Sequence, residues 1–180
     1  MNTLELDERL ILRMAQGDND AFRDLYQQTS AAVYGFALSI LRNRHDAENI
    51  MHDTYIRVHH SSGSYKPKGK PMAWILTIVR NLCYTKLKSG DVCEDLSQYE
   101  NIAHPDESER TVDHMILQKA LDILEFEDRQ IVVLHALTGM KHREIAELLD
   151  MPVGTVLSKY KRSLEKMRKE LEGKGESHER

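Results

Sequence analysis

Residues 139–171, GMKHREIAELLDMPVGTVLSKYKRSLEKMRKEL, constrain this chain more than any other stretch. Ile145, Ala146, Leu148 and Leu149 make a short apolar stripe, Asp150, Met151 and Pro152 break it, and a second stripe follows. In that second stripe Val153, Val156, Tyr160, Leu164, Met167 and Leu171 recur at helical spacing, as one buried face would. The pattern predicts a helix, a tight turn and a second helix. Turned away from the stripe are Thr155, Ser158, Lys159, Arg162 and Lys166. Such a face suits a DNA major groove. Gly154, Thr155 and Ser158 allow close approach, while Lys159, Lys161 and Arg162 reach base edges and phosphates. A plain helical hairpin with a solvated charged face would share the periodicity. Three details favour DNA: Ala146 is small where crossing helices need it, Met151 plugs the turn, and acids lie mostly in the first helix with cations in the second.

A net charge of −4 looks wrong for a DNA binder until the charge is mapped. From Lys66 to Lys88 there are six cations and no acids, and from Asp91 to Asp113 eight acids face Arg110 alone. From Lys141 to Leu171 eight cations oppose five acids. Two basic modules therefore flank an acidic connector, and local sign governs phosphate contact. The 180 residues allow one large or two small domains, and 41% apolar with 30% charged residues suits a globular protein. No apolar run approaches the ~20 residues of a membrane span, so no membrane insertion is expected. The start, MNTLELDERL, is acidic and polar and shows no secretory signal. Cys83 and Cys93 are too few for a disulfide framework and lack paired metal-ligand spacing, which predicts a reduced, cytoplasmic setting.

Taken in order, Leu6, Leu10, Ile11 and Met14 predict a short amphipathic helix stopping near Gly17. Asp18 or Asp20 then caps a longer helix with Phe22, Leu25, Tyr26, Val33, Phe36, Ala37, Ile40 and Leu41 inside. Asn43, Arg44 and His45 interrupt it. A helix over 46–59 follows, with Ala47, Ile50, Met51, Tyr55 and Val58 inside and Glu48, Asn49, His52, Asp53, Ile56 and Arg57 outside. Ile56 is a β-branched apolar residue on a polar face, as a helix-on-helix contact would require. Residues 61–71, rich in Gly, Ser, Pro and Lys, are expected to form a loop. A helix over 72–88 packs through Trp74, Ile75, Ile78, Val79 and Leu82, with Asn81, Tyr84 and Lys88 elsewhere on its surface. The acidic connector has no sustained period and reads as a flexible linker. Helices near 112–124, 127–137 and 141–149 precede the last long one. The expected fold is all-α: two small helical domains joined by a flexible acidic linker, the C-terminal one a helix-turn-helix.

With these pieces placed, the chain resembles the bacterial extracytoplasmic-function (ECF) sigma factors of RNA polymerase. The block DAENIMHDTYIRV is similar to the family's Asp-Ala-Glu-Asp-Leu-x-Gln-Glu-x-Phe-Leu-Arg-Val. Residues 72–88, with Trp74 and Asn81, resemble its Trp-Leu-x-x-Ile-x-x-Asn block, and 142–171 its Glu-Ile-Ala … Gly-Thr-Val … Leu-Arg ending. His52 stands for the usual Gln, Lys141 for a Ser/Thr cap, Asp150 for the turn Gly and Ser163 for a frequent Ala. The resemblance implies domains at 1–90 and 112–173, a linker at 91–111 and a tail at 174–180. It implies that Glu48, Asn49, Asp53, Ile56 and Arg57 dock on the clamp helices of core RNA polymerase, whose flap is a second contact. Residues 61–71 and the following helix would hold the melted minus-ten element, the C-terminal domain would read the minus-thirty-five element as duplex, and the linker would thread toward the RNA exit path. An anti-sigma factor, often membrane-anchored in this family, is the further implied partner and would hold the protein at the membrane indirectly.

The residue chemistry fits those roles by its own logic. Capture of single-stranded DNA needs cations along the phosphates and polar or aromatic groups for extruded bases. Lys66, Lys68, Lys70, Arg80 and Lys88 stand beside Tyr65, Asn81 and Tyr84 in that interval, and an Asn amide donates to and accepts from one base edge. Simple packing is the competing reading for Tyr84, whereas Trp74 belongs to the core. An enzyme would have to rest on histidine, but His59 and His60 stand seven and eight residues from His52 with no second cluster, so no metal or cofactor is expected. No Gly-rich phosphate loop, Ser nucleophile motif or Cys-His pairing is present, and Cys83 reads as a small buried side chain. A regulator that binds duplex DNA without polymerase would explain the last domain, but not the basic block at 66–88 or Ile56.

Overall fold

The computed structural model describes residues 6–90 and 119–175, and every regular element among them is helical. The first unit holds α1 (Arg9–Ala15), α2 (Asn19–Leu41), α3 (Arg44–Ser61), a 3₁₀ turn (Ser62–Ser64) and α4 (Pro71–Ser89). The second opens with helical residues 119–122 and continues through α5 (Phe126–Thr138), α6 (His142–Leu149) and α7 (Val153–Gly175). The acidic connector at 91–111, Cys93 and the first part of the helix expected at 112–124 lie outside the described residues.

The helix boundaries follow from local chemistry. Asp18 caps α2: its Oδ1 accepts from the N–H groups of Asp20 at 3.0 Å and Ala21 at 3.1 Å. The Ala21 amide, and then the Arg13 guanidinium, hold the Asp18 carboxyl below its ordinary pKa. Arg13 is ion-paired to Asp18 at 2.7 Å, which ties α1 to the start of α2. At the far end Arg42 leaves the helix in the left-handed region (φ 55°), its N–H donating to Leu38 O at 2.9 Å. The interruption expected over 43–45 shrinks to one junction. Asn43 is itself a cap, its side-chain oxygen accepting from Asp46 N at 3.0 Å, so α3 begins at Arg44 and takes in His45. The loop expected over 61–71 is likewise shorter. Helix α3 runs to Ser61, a 3₁₀ turn follows, and Pro71 is the first residue of α4, where its missing N–H costs nothing.

Helix α2 is the axis of the molecule. Ala21, Leu25, Val33, Phe36, Ala37 and Ile40 are buried along it against α3 and α4. Thr29 Oγ1 lies 2.7 Å from Tyr55 Oη and donates to Leu25 O at 2.7 Å. Helix α4 closes the unit with Ile75, Leu76, Val79 and Cys83, all buried. Burial pushes the Cys83 thiol up to about 12, so it is an inert core group.

The second unit packs directly on the first. Ile131, Leu134, Ile145, Leu149 and Val156 belong to the same apolar cluster as Val33 and Phe36, and α5 lies along α2. Gly35 makes the approach possible, because a Cβ there would run into the Leu137 side chain. A smaller cluster of Ala120, Leu124, Val132 and Met167 seats α7 on α5. Arg129 ties in the 119–122 turn, its Nε donating to Leu121 O at 3.0 Å and a terminal nitrogen to Leu124 O at 2.7 Å.

Candidate nucleic-acid interface

Helices α6 and α7 with the turn between them form the predicted helix-turn-helix. Lys141 N–H donates to Glu144 Oε2 at 2.9 Å, so the acid half of a capping box starts α6 without a Ser or Thr. Asp150 takes the left-handed conformation (φ 57°) that the turn requires, and Met151 N–H returns to Ala146 O at 2.9 Å. The buried stripe of α7 is narrower than the periodicity predicts. Val156, Ser163 and Met167 are buried and Tyr160 is half-buried, but Val153, Leu164 and Leu171 are exposed. The cover from α5 and α6 is one helix-face wide, so the leucines on its flank stay open.

On the outer side of α7, Gly154, Ser158, Lys161 and Arg162 are exposed and Thr155 partly so. Lys159 departs from the expected role. Its amine turns back onto α5, 3.0 Å from Glu127 Oε2 and 3.0 Å from Asp128 Oδ1, and its side chain is 20% exposed. Partial burial works against the ammonium, but the two carboxylates outweigh it and hold its pKa above the ordinary lysine value. It braces the second helix rather than reaching outward, and nothing in the periodicity of α7 could reveal an acid 31 residues away.

The basic block of the first unit is split in the same way. Lys66, Lys68 and Lys70 are exposed on the loop and Asn81 and Lys88 on α4. Tyr65 is half-buried, its ring 4.9 Å from that of Trp74, and its hydroxyl donates to Glu8 Oε2 at 3.2 Å. Burial, then Glu8, push its phenol up to about 12. Gly69 (φ 69°) donates its N–H to the same carboxylate oxygen at 3.0 Å, so Glu8, which sequence reasoning missed, pins both ends of the lysine loop. The Arg80 guanidinium lies 5.0 Å from the Tyr84 ring centroid, and Tyr84 meets the Phe126 ring edge-on at 6.4 Å. Lys70 pairs with Glu147 of α6 at 2.8 Å.

Helix α3 presents Asn49, Asp53, Ile56 and Arg57 on one exposed face with Glu48 at its margin, and Ile56 is 55% exposed. Among the described residues no group of three or more His, Cys, Asp or Glu is placed to hold a metal ion, and no helix is long and apolar enough to cross a membrane.

Two family models cover these surfaces: sigma-70 region 2 matches residues 25–92 and sigma-70, region 4 matches residues 114–167. An ECF RNA polymerase sigma factor, SigK of Mycobacterium sp. (strain KMS), is 30% identical over 166 residues, which span 87% of this chain and 86% of the relative. The chain belongs to the ECF sigma factors. A further member, SigW of Bacillus subtilis (strain 168), is 27% identical over 180 residues, spanning 91% of this chain and 96% of its own. Two solved structures share the fold. CnrH in complex with the cytosolic domain of CnrY has a TM-score of 0.67 at 21% identity, covering 93% of this chain and 97% of that one. RpoE in complex with the anti-sigma factor NepR from Bartonella quintana has a TM-score of 0.68 at 22% identity, covering 84% and 96%. As an ECF sigma factor the chain is a non-catalytic subunit of RNA polymerase that directs promoter-specific transcription initiation. Region 2 comprises the end of α2's partner set, α3 and α4, and region 4 carries the helix-turn-helix.

Proposed function

We propose that three surfaces divide this work. The α3 face formed by Glu48, Asn49, Asp53, Ile56 and Arg57 docks on the clamp helices of core RNA polymerase, with the flap contacting region 4. The lysine loop and the exposed side of α4, through Lys66, Lys68, Lys70, Asn81 and Lys88 with Tyr65, Arg80 and Tyr84 behind them, hold the unpaired minus-ten strand. Gly154, Thr155, Ser158, Lys161 and Arg162 read the minus-thirty-five duplex, with Lys159 orienting the helix that carries them. The domain limits proposed for these roles are 1–90 and 112–173, with 91–111 as the connector. The observation that carries the docking reading is Ile56: a large apolar side chain, more than half exposed, on a face otherwise made of charged and polar groups.

Arg57→Glu tests it. Charge reversal beside Ile56 should weaken binding to core polymerase on the order of tenfold. It should leave the binding of minus-thirty-five duplex by the free chain unchanged. A variant that forms holoenzyme and transcribes like the parent would remove α3 from the interface. The solved RpoE structure holds a sigma factor with the anti-sigma factor NepR, and we infer an anti-sigma partner for this chain as well. The chain would then act in the cytoplasm, tethered at the membrane when its anti-sigma partner is membrane-anchored.

A further inference from the structure

We propose that region 4 acts as a built-in competitor for the minus-ten strand, so that the free chain is self-inhibited until its two units separate. The inference rests on the reading of residues 66–70 as strand-binding. Three separate contacts carry it. Lys70, on the strand-binding loop, has its ammonium 2.8 Å from Glu147 on α6, and that pairing holds the Glu147 carboxyl below its ordinary pKa. Tyr84 has its ring edge against Phe126, the first residue of α5. Gly35 of α2 lies against Leu137 of α5, and the apolar core runs unbroken from one unit to the other.

Between the units is an open cleft of about 430 Å³. One wall carries Lys66, Lys68, Lys70 and Trp74, and the other carries Glu144 and Glu147. Carboxylates thus face the lysines where phosphates would lie, in a groove with the aromatic floor that a base needs. A strand entering this groove must displace Glu147 from Lys70. The seam is built to open. Lys70 and Glu147 are about half exposed at 45% and 57%, Arg42 meets Asp122 across the seam only at 3.4 Å, and Leu137 stays 43% exposed beside Gly35. Exposed ion pairs are weak, so a partner that prefers the separated units can shift the balance.

The test measures binding of a fluorescein-labelled single-stranded minus-ten oligonucleotide by anisotropy, with the free full-length chain and with holoenzyme. Glu147→Gln removes the competing charge, and Leu137→Gln loosens the α5–α2 seam without changing charge. Both sites are exposed, so the variants should fold, which helical circular dichroism confirms. The free variants should bind the oligonucleotide about two- to fivefold more tightly than the parent. In holoenzyme, where the units are already apart, all three should bind alike, and Lys68→Ala should weaken each. Free variants that bind no better than the parent overturn the self-inhibition, as do equal gains in free chain and holoenzyme. Holoenzyme binding that ignores Lys68→Ala instead overturns the strand-binding reading, and the inference with it.

Discussion

Replacing Lys159 by Met separates two roles that the sequence alone merges. The substitution keeps the aliphatic stem packed on α5 and deletes only the amine. That amine sits 3.0 Å from both Glu127 and Asp128, whose side chains are 48% and 6% exposed. Asp128 would be left nearly buried next to a second carboxylate, supported only by its place in the first turn of α5. Removing one partner of a fully buried pair costs about 3–5 kcal/mol and of a surface pair about 0–1 kcal/mol. With one buried and one half-open carboxylate, Lys159→Met should cost about 2 kcal/mol. For a chain of this length that lowers the thermal midpoint by about 4–8 °C, read by circular dichroism at 222 nm. Asp128→Asn in the same background should recover part of the loss, giving a coupling of about 1–2 kcal/mol in the double-mutant cycle. An unchanged midpoint in Lys159→Met, together with altered preference across minus-thirty-five variants, would return Lys159 to the DNA and refute the bracing role.

Three further outcomes follow from particular contacts. His142 stacks on His135 at 4.8 Å and meets the Tyr160 edge at 4.8 Å, its Nε2 is buried with no hydrogen-bond partner, and burial followed by His135 lowers its pKa from 6.5. The unfolded chain therefore binds the proton more readily, so stability should fall as pH drops from about 6.5 through the lowered folded value, and His142→Gln should flatten thermal midpoints measured between pH 5 and 7.5. Asn43→Ala removes the cap on Asp46 N and should cost ~1 kcal/mol in urea unfolding. Arg162→Ala should cost ~1–3 kcal/mol at its preferred minus-thirty-five sequence if the guanidinium reads a base, with relaxed preference at one position in a gel-shift panel of duplex variants. Loss that is uniform across the panel would assign Arg162 to phosphate.

The helical content and the helix-turn-helix were legible because both rest on short-range regularities. The Asp18 cap, the Asp150 turn, and the 3.6-residue recurrence of Val156, Tyr160 and Met167 are all set within a few residues. The junction at 43–45 was misread because Asn43 breaks one helix and caps the next, and composition alone registers only the break. Lys159 and Tyr84 were beyond reach for a different reason. A cation or aromatic on a polar helix face looks the same whether it meets solvent, phosphate or an acid brought alongside by tertiary packing. Glu127, Asp128 and Phe126 arrive from another helix. The direct packing of α5 on α2 was equally hidden, since Gly35 in mid-helix and the exposed Leu137 are each unremarkable until they are placed against one another.

The acids of the described chain also decide which cations remain for nucleic acid. Asp46 pairs with Lys86 at 2.9 Å, Glu147 with Lys70 at 2.8 Å, and Glu127 and Asp128 with Lys159 at 3.0 Å. These are not equivalent. Lys86 and Lys159 are 22% and 20% exposed and each meets a nearly buried carboxylate, so their charge is spent inside the fold. Lys70 is 45% exposed and its partner 57%, so its charge can be exchanged. Among the described residues Lys66, Lys68, Lys88, Lys161 and Arg162 have no carboxylate within ion-pair distance, and all are exposed. A protein of net charge −4 can thus grip a polyanion, because its acids neutralise the cations that build the fold and leave the outward ones bare. The salt dependence of promoter binding should accordingly follow the outward set. Neutralising Lys68 or Lys161 should flatten the slope of log K against log salt by about one unit each, whereas neutralising Lys86 should leave the slope unchanged and act through stability alone.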